Sequence, residues 1–219
     1  MFGRIVPRYD LLNRMMSLGM DRRWRRLAAA SARPSGATAL DLGAGTGDMA
    51  LELLRLGAAR VVAADFTPAM LAAAAAKAAT SDRIEFALAD ALRLPFPDGM
   101  FDVVTNAFLL RNLADLPAGL GEMARTLRPG GRLACLDMTP PPPGPFGAVY
   151  GVYFNRLVPA IAGAISGEVH AYRYLPNSLR GFPDAGAMAS LIRHTGLVDV
   201  RVHLLAGGTV ALHTARKPR

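Results

Sequence analysis

A single cysteine, Cys135, excludes a disulfide framework and any zinc site built on cysteines. The four histidines, His170, His194, His203 and His213, fall at no short metal-ligand spacing. Lysine is nearly absent: Lys77 and Lys217 stand against an arginine-dominated total of 25 basic residues. Long apolar runs are missing too. The stretch Val149–Ile165 is interrupted by Asn155, Arg156 and Pro159, and is too short and too broken to span a bilayer. Arg4, Arg8, Asp10 and Arg14 interrupt the start, so it does not read as an export leader. These absences predict a cytoplasmic protein of one domain, and 219 residues suffice for a buried core without metal or disulfide.

What is abundant is positive charge. The formal charge is +8 and the sequence isoelectric point about 10.5. It is unevenly placed. Residues 1–33 carry eight arginines against Asp10 and Asp21, a net +6, and Arg216, Lys217 and Arg219 add +3. Residues 34–215 are close to neutral, at −1. A nucleic-acid enzyme would spread basic residues along a binding face, and no recognition motif is present, so nucleic acid is disfavoured. A cluster at one end suits a solvated helix face or an anionic membrane surface, where each arginine is worth about 1 kcal/mol.

Short apolar runs alternate with helical stretches. Strands are expected at Thr38–Leu42, Arg60–Asp65, Ile84–Leu88, Asp102–Asn106, Arg132–Asp137, Val198–Leu204 and Thr209–His213, with helices at Asp48–Leu56, Pro68–Ala79, Leu116–Leu127 and Asp184–His194. Thr67 before Pro68 reads as a capping residue at a helix start. Arg128-Pro129-Gly130-Gly131 reads as a stop between a helix and a strand, and Gly207-Gly208 as a hairpin turn. The alternation predicts an α/β fold with a mostly parallel sheet and helices on both faces; the hairpin makes the last strand antiparallel. One domain is expected, with a helical cap at 1–33, a core at 34–139, an insertion at 140–183 and a C-terminal helix and hairpin at 184–219. The cap reads as two short helices, around Leu11–Leu18 and Asp21–Ala32. The insertion opens on the polyproline-like Pro140–Pro145 and holds Tyr150, Tyr153, Phe154, Tyr172, Tyr174 and Phe182.

Asp41-Leu42-Gly43-Ala44-Gly45-Thr46-Gly47-Asp48 joins the first strand to the first helix of the alternation. Its glycines let a ligand approach the backbone and the free N–H groups of a helix start. The G-x-G-x-G spacing differs from the G-x-G-x-x-G of a dinucleotide site, which disfavours a nicotinamide oxidoreductase. Asp41 and Asp48 flank the loop, disfavouring phosphate and suiting a cationic ligand such as S-adenosylmethionine. Asp65 ends the second strand, where an acid accepts bonds from ribose hydroxyls. Asp90 and Ala91 follow the third strand, where a carboxylate can meet the adenine amino group. Phe66, Met70 and Leu92 are placed to sandwich the base.

With these motifs in view, the chain resembles the UbiE-type C-methyltransferases of menaquinone and ubiquinone biosynthesis, within the class I S-adenosylmethionine-dependent methyltransferases. The resemblance runs over nearly the whole chain. It is carried by Arg8–Asn13, Ser17–Arg25, the loop Leu40–Asp48, Leu94–Asp98, Phe101-Asp102, Leu110–Leu113, Ala171–Leu175 with Ser178, and Val210–His213. It implies a Rossmann-like sheet of seven strands with the last antiparallel, S-adenosylmethionine as cofactor with contacts at Thr46, Asp65, Asp90 and Ala91, and a lipid-tailed quinol as substrate. Two positions depart from the family. Where members usually carry Ser-Phe-Gly before Leu-Arg-Asn, this chain has Ala107-Phe108-Leu109. Ala107 keeps a place in the cofactor pocket without the hydroxyl, and Leu109 adds bulk beside the expected transfer centre. A methyltransferase of another amphipathic or small molecule, such as a phospholipid amine, and a non-catalytic lipid- or partner-binding protein on the same fold remain alternatives.

Methyl transfer from a sulfonium is an in-line displacement that needs alignment and exclusion of water. For a quinol the nucleophile is a ring carbon beside a hydroxyl, and a cation near that oxygen favours its deprotonation. Arg111, after the fourth strand, is the first candidate for that cation, with loop anchoring as the alternative. Tyr9 is a second catalytic candidate, to orient substrate or relay a proton, against simple packing of the cap. His170 is a weaker candidate for a general base. His213 is expected to be a strand residue with a satisfied hydrogen bond, and Cys135 a buried apolar one. The aromatic insertion suits either a prenyl pocket or a packed cap. A peripheral membrane contact is expected to accompany a lipid-tailed substrate, and a homodimer is left open.

Overall fold

A computed structural model describes residues 10–11, 13–15, 17–79, 81–141, 144–153, 178–179 and 181–219. Strands Thr38–Leu42 (β1), Arg60–Asp65 (β2), Ile84–Leu88 (β3), Phe101–Ala107 (β4), Leu127–Met138 (β5), Val198–Leu205 (β6) and Val210–Arg216 (β7) form one sheet, ordered β3-β2-β1-β4-β5-β7-β6. The helices are Asp21–Ser31 (α1), Asp48–Arg55 (α2), Pro68–Lys77 (α3), Leu116–Thr126 (α4), Pro145–Val152 (α5) and Ala185–His194 (α6). The pairings among β1–β5 are parallel, whereas β7 runs antiparallel to both β5 and β6. The expected antiparallel last strand is therefore present. Among the described residues, no helix is long and apolar enough to cross a membrane.

Period-two alternation sends successive strand residues to opposite faces. Ala39, Val61, Ala63, Ala134 and Leu136 pack with Trp24 and Ala28 of α1 and Met49 and Leu53 of α2. Leu40, Leu42, Val62, Ala64, Leu133 and Cys135 pack with Leu120 and Met123 of α4 and Met188 and Ile192 of α6. Leu53, Leu120 and Leu136 are wholly buried, each stabilising the fold by roughly 2 kcal/mol. Asp115 and Asp184 cap α4 and α6, accepting from Ala118 N and Ala187 N at 2.9 and 2.8 Å. Cys135 is buried, and its thiol is pushed up to about 12 by burial. His213 on β7 is hydrogen-bonded to the Ala185 carbonyl at 2.9 Å, and burial lowers its pKa.

Two local expectations are corrected. Thr67 stands at the N-cap of α3 with extended backbone, but its side chain makes no capping bond. Its N–H instead donates to Asp65. The fifth strand begins at Leu127, before the expected stop, because Leu127 pairs with Phe101 of β4 and residues 130 and 131 bond to the C-terminal tail: Gly130 N donates to Lys217 O, and Lys217 N to Gly131 O. The tail charges are structural. Lys217 Nζ donates to the carbonyls of Ala124, Arg125 and Leu127 where α4 ends, a favourable place for a cation, and Arg216 pairs with Asp199. Of the insertion, α5 with Tyr150 and, just after it, Tyr153 are described, and Phe182 packs against the α4–α6 core. Phe154, His170, Tyr172 and Tyr174 lie outside the described residues.

The strand order reverses between β1 and β4. Open sheets bind ligands in the crevice that such a reversal leaves at the strands' carboxyl ends.

Candidate active site

The loop from β1 to α2 lies in that crevice. Gly43, Gly45 and Gly47 have φ of 68°, 55° and 85°, a region that side chains disfavour. At Gly43 the space is also filled: a Cβ there would stand 2.8 Å from Leu109 Cδ1. Asp65, at the end of β2, accepts from Gly45 N through Oδ2 and from Thr67 N through Oδ1, each at 2.8 Å. Asp90 Oδ1 accepts from Leu92 N at 2.9 Å, fixing the turn after β3.

These ends surround a cavity of about 350 Å³. Nine of the expected cofactor residues line it: Gly43, Gly45, Asp65, Phe66, Met70, Asp90, Ala91, Leu92 and Ala107. Three do not. Asp41 lies wholly buried and accepts from the Thr105 hydroxyl at 3.4 Å. Burial pushes its carboxyl up to about 7, against the opposing charge of Arg25. Ala44 is buried in the core on the α1–α2 side of the sheet. The Thr46 hydroxyl donates to Asp10 Oδ1 at 2.6 Å. Lys77 completes that cluster, reaching Asp10 and Asp48, each at 2.7 Å.

The segment after β4 forms a further wall of the cavity. Phe108, Leu109 and Asn112 also line the cavity. Phe108 holds a φ of 65°, a strained conformation for a bulky residue, and two guanidinium groups stand over its ring, Arg25 at 5.2 Å and Arg111 at 5.5 Å. Asn112 donates to the Phe108 carbonyl at 3.2 Å. Arg111 is nearly buried and does not itself line the cavity. Its Nη1 donates to Asp137 Oδ1 at 2.6 Å and its backbone N–H to Asp137 Oδ2 at 3.3 Å. Tyr150 of α5 is close enough to feel the Arg111 charge and is hydrogen-bonded to Thr209; burial raises its pKa. Tyr9 lies outside the described residues. Among the described residues, no cluster of histidine, cysteine or acidic side chains could hold a metal.

The model of the ubiE/COQ5 methyltransferase family matches residues 1–217. The chain belongs to the ubiE/COQ5 methyltransferase family. Among its relatives, a demethylmenaquinone methyltransferase of Thermus thermophilus is 51% identical over the whole of both chains. Another of the same name, from Mycolicibacterium gilvum, is 48% identical over 100% of this chain and 93% of its own. Solved structures agree in fold. A SAM-dependent methyltransferase from Aquifex aeolicus superposes with a TM-score of 0.66 at 18% identity, covering 94% of this chain and 97% of that one. A phosphoethanolamine N-methyltransferase of Haemonchus contortus, in complex with S-adenosyl-L-methionine, superposes with a TM-score of 0.65 at 15% identity, covering 89% and 52%.

Family and fold make the chain a class I methyltransferase and imply S-adenosylmethionine as methyl donor. The cavity fits that molecule chemically. Its described lining offers two carboxylates, Asp65 and Asp90, and neither lysine nor arginine. Such a lining repels phosphates and suits a cationic ligand that carries none.

Proposed function

We propose that this enzyme transfers a methyl group from S-adenosylmethionine to a ring carbon of a demethylmenaquinol in the cytoplasm. The observation that carries the reading is the 51% identity, over both full lengths, with a demethylmenaquinone methyltransferase. That likeness favours a quinol over the phospholipid-amine alternative.

When bound, S-adenosylmethionine supplies a methyl carbon made electrophilic by its sulfonium. The chain's residues bind and orient. Asp65, steadied by the N–H groups of Gly45 and Thr67, keeps lone pairs for the two ribose hydroxyls. Asp90, whose second oxygen is not used by Leu92 N, would hold the adenine amino group, and Phe66, Met70 and Leu92 of the lining would hold the base. Leu109, packed against Gly43, closes the wall after β4 and helps keep water from the transfer centre.

Arg111 favours the quinolate form of the substrate by placing a positive charge near the phenolic oxygen. Its ion pair with Asp137 fixes the guanidinium, and both sit where little water screens them. Tyr9 orients the ring. Asp137 is thus a positioning residue, Tyr9 is the group that meets the ring, and Arg111, which does not line the cavity, acts on the phenolic oxygen through its charge from behind Phe108.

Activity against two substrate classes tests the reading. Purified enzyme with labelled S-adenosylmethionine is given reduced demethylmenaquinone or phosphatidylethanolamine in the same detergent. Label is expected in the quinol alone, with Arg111→Ala lowering kcat by a hundredfold or more, as removal of a charge-stabilising donor does. Label in the amine lipid, or full turnover by the variant, would overturn the substrate or the role of Arg111 respectively.

A further inference from the structure

The outer face of α1 is the least explained surface of the molecule. Arg22, Arg23, Arg26, Leu27 and Ala30 share the exposed side of the helix, while Trp24, Arg25, Ala28 and Ala29 turn inward. Just before it, Leu18 is 77% exposed, and Leu11, Met15 and Met20 are exposed as well. Among the described residues, five large aliphatic side chains therefore face solvent between positions 11 and 27. The charge among them has one sign. Asp21 is buried and accepts from the Ser17 hydroxyl, and Asp10 is engaged by Lys77 and Thr46. Arg22, Arg23 and Arg26 enter no salt bridge among the described residues.

An ordinary solvated helix face mixes both signs and carries few large apolar groups. This one combines arginine with leucine and methionine, the pattern of a helix that lies in a headgroup layer with its aliphatic side chains reaching toward the acyl region. A single-stranded nucleic acid would instead be met by aromatic rings interleaved with the arginines, and the exposed apolar residues here are aliphatic. We propose that the outer face of α1 and the turn before it, through Arg22, Arg23, Arg26, Leu18, Met20 and Leu27, dock on an anionic lipid bilayer. Arg25, grouped with its neighbours by sequence alone, belongs to the inner side. It is buried and its guanidinium stands over Phe108, a wall of the cavity. The same short helix thus presents one face to lipid and touches the cavity wall with the other.

Vesicle co-sedimentation of the full chain tests this, and quinone-free vesicles separate it from the substrate assignment. Phosphatidylcholine vesicles containing phosphatidylglycerol should pellet the protein, pure phosphatidylcholine should not, and added salt should release it. Each arginine contributes roughly fivefold, so the triple change Arg22→Gln, Arg23→Gln, Arg26→Gln should weaken vesicle binding about a hundredfold. A second variant, Leu18→Ser with Met20→Ser, should also weaken it. Both variants should keep the wild-type melting temperature and affinity for S-adenosylhomocysteine, which shows that they are folded. Wild-type protein left in the supernatant, a triple variant that pellets like wild type, or binding of RNA without binding of vesicles would overturn the proposal.

Discussion

Gly43 and Leu109 meet at the floor of the cavity, and their contact makes a departure from the family pattern measurable. Gly43→Ala should weaken S-adenosylhomocysteine binding tenfold or more by calorimetry, since the new Cβ would press on Leu109 at 2.8 Å and φ is already 68°. Adding Leu109→Gly should restore part of the loss, leaving the left-handed strain of about 1–2 kcal/mol. Equal affinity of wild type and Gly43→Ala would contradict the packing described. Asp41 gives a second residue-scale test. Its folded pKa, about 7, lies above its ordinary value of 3.8, so the folded chain holds that proton more tightly than the unfolded chain. The stability it contributes is fully present below about pH 4, falls as pH rises through about 7 and is level beyond, a loss on the order of 4 kcal/mol. Urea unfolding of Asp41→Asn against wild type should show the variant gaining relative stability across that window. A constant offset between the two pH curves would remove Asp41 as the source.

At the scale of elements, Asp10, Thr46, Asp48 and Lys77 tie the N-terminal segment to the glycine loop and α3. The charged partners are roughly a quarter to a third exposed, so the network is worth about 1 kcal/mol rather than more. Lys77→Met should therefore leave global stability nearly unchanged while speeding amide exchange in residues 13–20. Unchanged exchange there would mean that the cap is held by Trp24 and its apolar neighbours alone. This tie was invisible in the sequence because its partners lie up to 67 residues apart. Strand and helix positions were legible from the alternation of apolar runs, whereas the capping carboxylates Asp115 and Asp184 emerge only in the structure and the cap expected at Thr67 makes no side-chain bond. The same local reading failed at β5, where Pro129 and Gly130 read as a stop although the tail continues the pairing. It also passed over Phe108 and Asn112, since no periodicity marks a strained aromatic or a loop amide. The placement of Asp65 and Asp90 at one cavity was readable because strand ends in an open parallel sheet fall at one edge.

For the molecule as a whole, the charge of +8 resolves into parts with different work. Lys217 and Arg216 hold the tail to α4 and β6, Arg25 and Arg111 stand over Phe108, and Arg22, Arg23 and Arg26 remain outward. The sheet reversal brings Asp65, Asp90 and the glycine loop to one crevice, and the segment after β4 sets Arg111 behind its wall. This crevice methylates carbon on a quinol ring. The most direct test is nuclear magnetic resonance of the product formed from demethylmenaquinol and S-adenosylmethionine labelled in its methyl carbon. The label should appear as a methyl on a ring carbon. A methoxyl or N-methyl signal, or label remaining wholly on the donor, would contradict the account.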